Sequence, residues 1–440
     1  MLAVILMSSV PTLAACSTHQ EVKAGSSPST QSAKASKAEV RRTEDGWQLF
    51  LDGAPFQIKG AGLEFGSMEA LARHGANSLR TWRTDNGRRS GKAVLDEAQA
   101  RGLKVTMGIE VGRERMGFDY DDDAAVADQL ARIRREVLEF KDHPALIIWG
   151  IGNELNHHAE NPRVWDAVND ISLMIHELDP YHLTTTSLSG MDPETVRLVK
   201  ERAPDIDLLS VQMYAEIAAL PERIAVSGWD GPILVTEWGA TGYWEVGQTP
   251  WGAPLENNSS RKADFYLSRF RRSIESQREQ VVGSYVFLWG QKQERTPTWF
   301  GMFTADGRET EAVDVMHFIW TGAWPQNRSP RVESLRLDGR AASEGVKLSA
   351  GQSYEAVFEV VDPDGDPLTI RWEIMRESTS TKTGGDDEAI PESIEGLIVQ
   401  KEPGRITLRA PMERGAYRLF AYGDDTAKHT AHANVPFLVE

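Results

Sequence analysis

Leu146-Ile147-Ile148-Trp149-Gly150-Ile151-Gly152-Asn153-Glu154 is a nearly unbroken apolar run that stops at an acid and a turn. A second stretch, Ile233-Leu234-Val235-Thr236-Glu237-Trp238-Gly239, does the same. Short apolar runs rich in β-branched residues are how strands buried on both faces read, as in a parallel sheet. An acid at the carboxyl end of such a strand has no packing reason to be there. In a parallel α/β barrel that end is where chemistry is done.

From these two strands the alternation extends both ways. Gln57-Ile58-Lys59-Gly60 reads as strand one and residues 78–82 as strand two, with helices expected over 67–74 and 92–101. Residues 103–111 form strand three. A helix over 124–140 then places Val126, Leu130, Ile133, Val137 and Leu138 at helical spacing. Strand four ends at Glu154, and segments 182–187, 208–213, 233–236 and 281–288 complete eight strands, with helices between them. Eight such units predict a closed (β/α)8 TIM barrel over residues 45–326. An open doubly wound sheet would need a switch point and a glycine-rich nucleotide loop, and Gly60-Ala61-Gly62 lacks the third glycine. Beyond residue 326 short alternating strands at 332–337, 353–360, 368–374, 405–408, 417–422 and 433–439 are separated by Gly, Pro and Asp turns. They predict an appended immunoglobulin-like β-sandwich over 327–440, with 378–387 as a mobile polar loop.

The chain has 440 residues and a formal charge of −17, from 65 acids against 48 bases. That surplus disfavours nucleic acid or an anionic lipid face as partner and suits a neutral ligand. Residues 1–15 are apolar or small and end in Leu13-Ala14-Ala15-Cys16, which resembles a bacterial lipoprotein signal with its lipobox. The run is too short to span a membrane. A composition rich in Ser, Thr, Gln, Ala and Lys follows, and residues 16–44 read as a flexible tether. The resemblance implies a lipid on Cys16 and a place in the cell envelope, on an outer membrane facing the periplasm or the outside. Cys16 is the only cysteine, so an intrachain disulfide is impossible.

Across residues 53–324 the chain resembles the clan of retaining (β/α)8 glycoside hydrolases and is similar to the family 2 catalytic barrel. The clan's Asn-Glu pair at the end of strand four stands here as Asn153-Glu154. Its strand-seven glutamate stands as Glu237, its strand-two arginine as Arg80, its strand-six tyrosine as Tyr214 and its strand-eight tryptophan as Trp289. The resemblance implies a retaining β-glycoside hydrolase or transglycosylase working by double displacement. The chemistry agrees: cleaving an acetal needs a proton for the leaving oxygen and a negative group beneath the developing oxocarbenium ion. Glu154 is then the general acid and later base, needing an apolar wall, such as Trp149 or Trp289, or a nearby negative charge to stay protonated near neutral pH. Glu237 is the nucleophile, kept ionised by hydrogen bonds from Arg80 and Tyr214. Asn153 hydrogen-bonds the sugar 2-hydroxyl. Whether Arg80 or Arg83 faces the barrel mouth is a question of strand parity, and the motif favours Arg80.

Of thirteen tryptophans, Trp82, Trp238, Trp244, Trp251, Trp289 and Trp299 follow strand ends, where aromatic faces stack on pyranose rings. Several aromatic subsites favour a β-glucan. The long loop 238–260 and the stretch 291–296 are expected to shape the cleft, and Glu110, Glu114, Asn156, His157 and His158 to contact hydroxyls. Adjacent histidines seldom converge on one ion, so no metal site is assigned there. The turn Asp362-Pro363-Asp364-Gly365-Asp366 resembles calcium-binding turns of extracellular modules. Its full ligand set is not visible, so a solvated turn is expected and no cofactor is assigned. The alternative is a catalytically inactive carbohydrate-binding or cell-surface scaffold, against which the intact Asn153, Glu154 and Glu237 set argues.

Overall fold

The computed structural model describes residues 35–440 except 383. The lipobox, Cys16 and most of the expected tether lie outside the described residues. Eight parallel strands close into a barrel: β1 (Ile58–Gly62), β2 (Ser78–Arg80), β3 (Lys104–Ile109), β4 (Leu146–Asn153), β5 (Leu183–Ser189), β6 (Leu208–Gln212), β7 (Ile233–Gly239) and β8 (Val281–Phe287), with β8 pairing back onto β1. Helices including Asp123–Phe140, Arg163–Leu178 and Ser259–Arg269 pack outside the sheet. The first of these buries Ile133, Val137 and Phe140 on the face that its apolar spacing defines.

Gly60 and Gly62 are explained inside this barrel. A Cβ on Gly60 would stand 2.5 Å from the Tyr285 ring, and one on Gly62 would stand 2.8 Å from Trp82. Each is a place where an aromatic ring meets bare backbone. Tyr285, fully buried, contacts the hydroxyls of Ser78 and Thr106 at 2.7 Å each.

The expected tether is corrected at its end. Ala38–Thr43, Gly46–Leu51 and Ala54–Pro55 form a three-stranded antiparallel sheet. Its Ala38 and Leu49 pack on Ile58, Ile147, Leu208, Leu234 and Val282, which begin barrel strands. The sheet therefore closes the floor of the barrel, opposite the ends that carry the glutamates.

After β8 the chain passes through Glu309–Thr310 and the helix Glu311–Thr321 into two facing sheets. One is ordered Arg331–Leu337, Ser353–Val361, Arg405–Arg409, Ile398–Glu402. The other runs Glu309–Thr310, His429–Val439, Gly415–Asp424, Thr369–Arg376. Barrel and sandwich thus share a sheet, because Glu309–Thr310 pairs in parallel with His429 and Thr430.

Candidate active site

Asn153 ends β4, and Glu154 follows in a left-handed turn with φ 50°, its N–H donating to the Ser187 carbonyl at 2.9 Å. Left-handed backbone is costly for a residue with a Cβ, and such strain gathers at functional sites. Glu237 lies within β7. Both glutamates line one cavity of about 2170 Å³ at the barrel mouth.

Three donors converge on Glu237. Arg80 Nη1 and the Trp82 indole nitrogen each reach Oε1 at 2.7 Å, and the Tyr214 hydroxyl donates to Oε2 at 2.9 Å. Burial and the Glu237 charge push the Tyr214 phenol well above its ordinary value, which keeps it a donor. Arg80 also donates to Asn153 Oδ1 through Nη2. Arg83, past the end of β2, also borders the cavity but pairs with Glu64 at 2.8 Å rather than with either catalytic candidate. The Gln212 carboxamide joins the two halves. With its nitrogen toward Glu154 it donates to Oε1 at 2.8 Å, while its oxygen accepts from Arg80 Nη2 at 2.9 Å.

Glu154 has a different environment. Burial and the Glu237 charge raise it to about 7, against the opposing pull of Arg80 and Arg113. Two acids in one pocket, one ringed by donors and one left to hold its proton, is the division of labour that acid-plus-anion chemistry needs.

The aromatic residues divide. Trp82 and Trp244 border the cavity, as do Tyr214 and Phe287. The substrate-binding assignment of Trp238 is corrected. Trp238 is fully buried against Tyr266 and Phe270. Trp289 is equally buried by area, its indole donating to the Ser67 carbonyl at 3.1 Å, yet it borders the cavity as part of its wall. Two residues before Trp289, Phe287 presents its ring edge-on to Trp82 and Tyr214. Trp299 is likewise core. Trp251 lines a separate groove of about 510 Å³ beside Tyr243 and Trp244. Trp149 supplies no wall to Glu154, because its indole donates to Asp179 at 2.9 Å.

Among the polar candidates, Glu110, His157 and His158 line the cavity. Glu114 and Asn156 do not serve as free contacts. Glu114 accepts from the backbone of Glu160 and Asn161 at 2.8 and 3.1 Å, and Asn156 is bound on both sides by the Ser189 backbone at 2.9 Å. The loop after β7 is held by Glu245, which accepts from the backbone of Gly242, Ala215 and Glu216.

A further wall comes from the sandwich. The segment expected as a mobile loop reaches over the barrel mouth, where Lys382, Gly384, Gly385, Asp386 and Asp387 border the cavity. Asp386 pairs with Arg115 at 3.2 Å, and Glu388 accepts from the Arg295 backbone at 2.9 Å. Glu294, buried under this loop and raised by that burial, pairs with Lys292 at 2.8 Å.

At the remote turn, carboxylate oxygens of Asp362, Asp366 and Asp425 come within 4.8 Å of one another, while Asp364 instead accepts from the Arg328 backbone at 2.6 Å. Asp362 Oδ1 accepts from the backbone of Asp364 and Asp366, which closes the turn.

A closed parallel barrel with paired carboxyls at the ends of β4 and β7 places this molecule in the class of (β/α)8 glycosidase folds. The chain belongs to glycosyl hydrolases family 2, whose TIM barrel domain matches residues 68–313. Its fold is similar to a calcium-binding mutant of β-glucuronidase 2 from Bacteroides uniformis, at 13% identity and TM-score 0.51 over 92% of this chain and 48% of that one. It is also similar to the β-glucuronidase of Ruminococcus gnavus, at 16% identity and TM-score 0.51 over 66% and 53%. The β-D-glucuronidase of Dictyoglomus thermophilum matches at 17% identity and TM-score 0.51 over 65% and 54%. The chain spans about half the length of these structures.

Proposed function

We propose that the chain is a retaining β-glycoside hydrolase in which Glu154 is the acid and base and Glu237 the nucleophile. The observation that carries this reading is the contrast between the two carboxyls: Glu237 accepts from Arg80, Trp82 and Tyr214, while Glu154 is raised to about 7. In the first step Glu154 gives its proton to the leaving oxygen as the C1–O bond breaks, and a Glu237 oxygen bonds to C1. In the second, Glu154 takes a proton from water, whose oxygen attacks C1 and releases Glu237. The product keeps its anomeric configuration. A sugar hydroxyl in place of water would make the same enzyme a transglycosylase. Asn153 is placed to hold the 2-hydroxyl, its Oδ1 fixed by Arg80.

The substrate in this reading is a β-linked glycan. Of the six tryptophans whose placement favours a β-glucan, Trp238 and Trp299 are core, so the sugar is left open. The lipobox supports attachment through Cys16 at the cell envelope, and a Cys16→Ala variant should move the protein from the membrane to the soluble fraction.

The test is Glu237→Ala. Hydrolysis of aryl β-glycosides should fall on the order of 10⁴-fold, and azide should restore turnover with inversion at C1. A variant that hydrolyses as well as the parent would end the assignment of Glu237 as nucleophile, and a parent that turns over no β-glycoside would favour the inactive-scaffold reading.

A further inference from the structure

The chain is acidic as a whole, yet the cavity wall near Glu154 also carries cations. Arg113 and Arg115 from the loop after β3 border the cavity with His157 and His158 from the loop after β4. The two histidine rings lie 4.2 Å apart between centroids. Arg115 has its partner, spanning both Asp386 oxygens at 3.2 and 3.4 Å. Arg113 has none: among the described residues its guanidinium makes no hydrogen bond or ion pair, although Arg115, Glu154, Asp386 and Glu110 act on it through space. Burial, then Arg115, lower its proton affinity. A half-buried cation whose nearby acids make no bond to it is incompletely compensated, and a guanidinium is a fixed fork of five donors shaped for an oxyanion.

Electrostatic tuning of Glu154 does not account for it. Arg113 pulls the Glu154 proton affinity down, the wrong direction for a general acid at neutral pH. A substrate anion on Arg113 would cancel that pull and arm the acid as it bound. Arg113 borders the same cavity and acts through space on Glu154, the acid that serves the departing oxygen, and not on Glu237.

We propose that Arg113 is the anion-binding residue of a leaving-group subsite that takes a carboxylate or sulfate ester on the sugar beyond the scissile bond. This rests on the glycosidase reading above.

The experiment titrates the full-length Glu237→Gln chain with β-linked disaccharides whose reducing-end sugar is neutral, a uronate or sulfated. For the preferred glycone, an anionic member should bind about 10- to 100-fold more tightly than the neutral one. Adding Arg113→Gln should erase that gain, Arg113→Lys should keep part of it, and neutral ligand should bind all three variants alike. The uronate and sulfate arms show which anion is read. In the otherwise intact enzyme, Arg113→Gln should also shift the alkaline limb of kcat upward for a neutral aryl glycoside. Equal binding of neutral and anionic ligands, or equal weakening of both by Arg113→Gln, overturns the subsite. Turnover of neutral aryl β-glycosides by the parent, lost in Glu237→Gln, reads the glycosidase proposal separately.

Discussion

At the scale of single residues, chemistry depends on Glu154 holding a proton that an ordinary glutamate has lost. Raised to about 7, it is protonated below that value, so kcat for a poor leaving group should fall as pH rises through about 7. A pH profile whose alkaline limb is unchanged in Glu154→Gln would remove the assignment. Linkage gives a second outcome. With the folded value above the unfolded one, the native state binds more protons between about 4.5 and 7, so stability falls across that window and stays lower above it. Glu154→Gln should therefore stabilise the chain by about 1–3 kcal/mol at pH 8 and show little gain at pH 4, measured by denaturant titration. Sequence reading reached Arg80, Asn153 and Tyr214 through the resemblance to the family 2 barrel, whose motif residues sit at strand ends. It missed Gln212 and Arg113, which have no motif, and it misplaced Trp238, because alternation along a strand turns it to the face opposite Glu237. Trp82 was legible as a cleft residue, but its bond to Glu237 was not, since the motif that sets Arg80 and Tyr214 beside Glu237 does not include it.

At the scale of elements, the barrel strands were legible because burial on both faces leaves long apolar runs. The strands that escaped notice lack that signal: Ala38–Thr43 reads Ala-Glu-Val-Arg-Arg-Thr, and the edge strand Ile398–Glu402 is mostly exposed. The sandwich loop escaped for another reason. Its composition is that of a solvated tip, and only the fold brings Arg115 and Arg295 against it. Its anchors predict its role. Asp386→Asn with Glu388→Gln removes both charged ties while leaving every group around Glu237 in place. For oligosaccharides KM should rise about 3- to 10-fold, since each tie is a part-buried charge-assisted contact, with kcat on a small aryl glycoside within twofold. Equal kcat loss on both substrates would show that the loop supports the catalytic groups themselves.

At the scale of the whole molecule, barrel and sandwich are joined by a shared sheet and by buried charge beside it. Glu256, on the loop after β7, is buried yet held at about 2: against burial, Lys262, His432 and Thr296 favour its charge, and Thr298 and Asn434 also donate. Burial pulls Lys262 below its ordinary value, so it depends on Glu256. Glu256→Leu would strand that ammonium and should cost about 3–5 kcal/mol, whereas the double change with Lys262→Met should recover most of the loss. A second seam lies where Glu309 meets His429, 3.4 Å apart, with Asp425 at 3.1 Å from the same ring. Burial opposes the charge on His429, but Glu309, Asp314 and Asp425 outweigh it and raise the imidazole to about 9. The folded value exceeds the unfolded one near 6.5, so this stability is fully present below pH 6.5 and is lost as pH rises through about 9. The melting temperature of the full chain should fall over that window, with a loss on the order of 1–3 kcal/mol. His429→Gln should be destabilised at pH 6, yet lose less than the parent between pH 6.5 and 9. A parent curve flat across that range would show that the strand pairing of Glu309–Thr310, not the ion pair beside it, fastens the two domains.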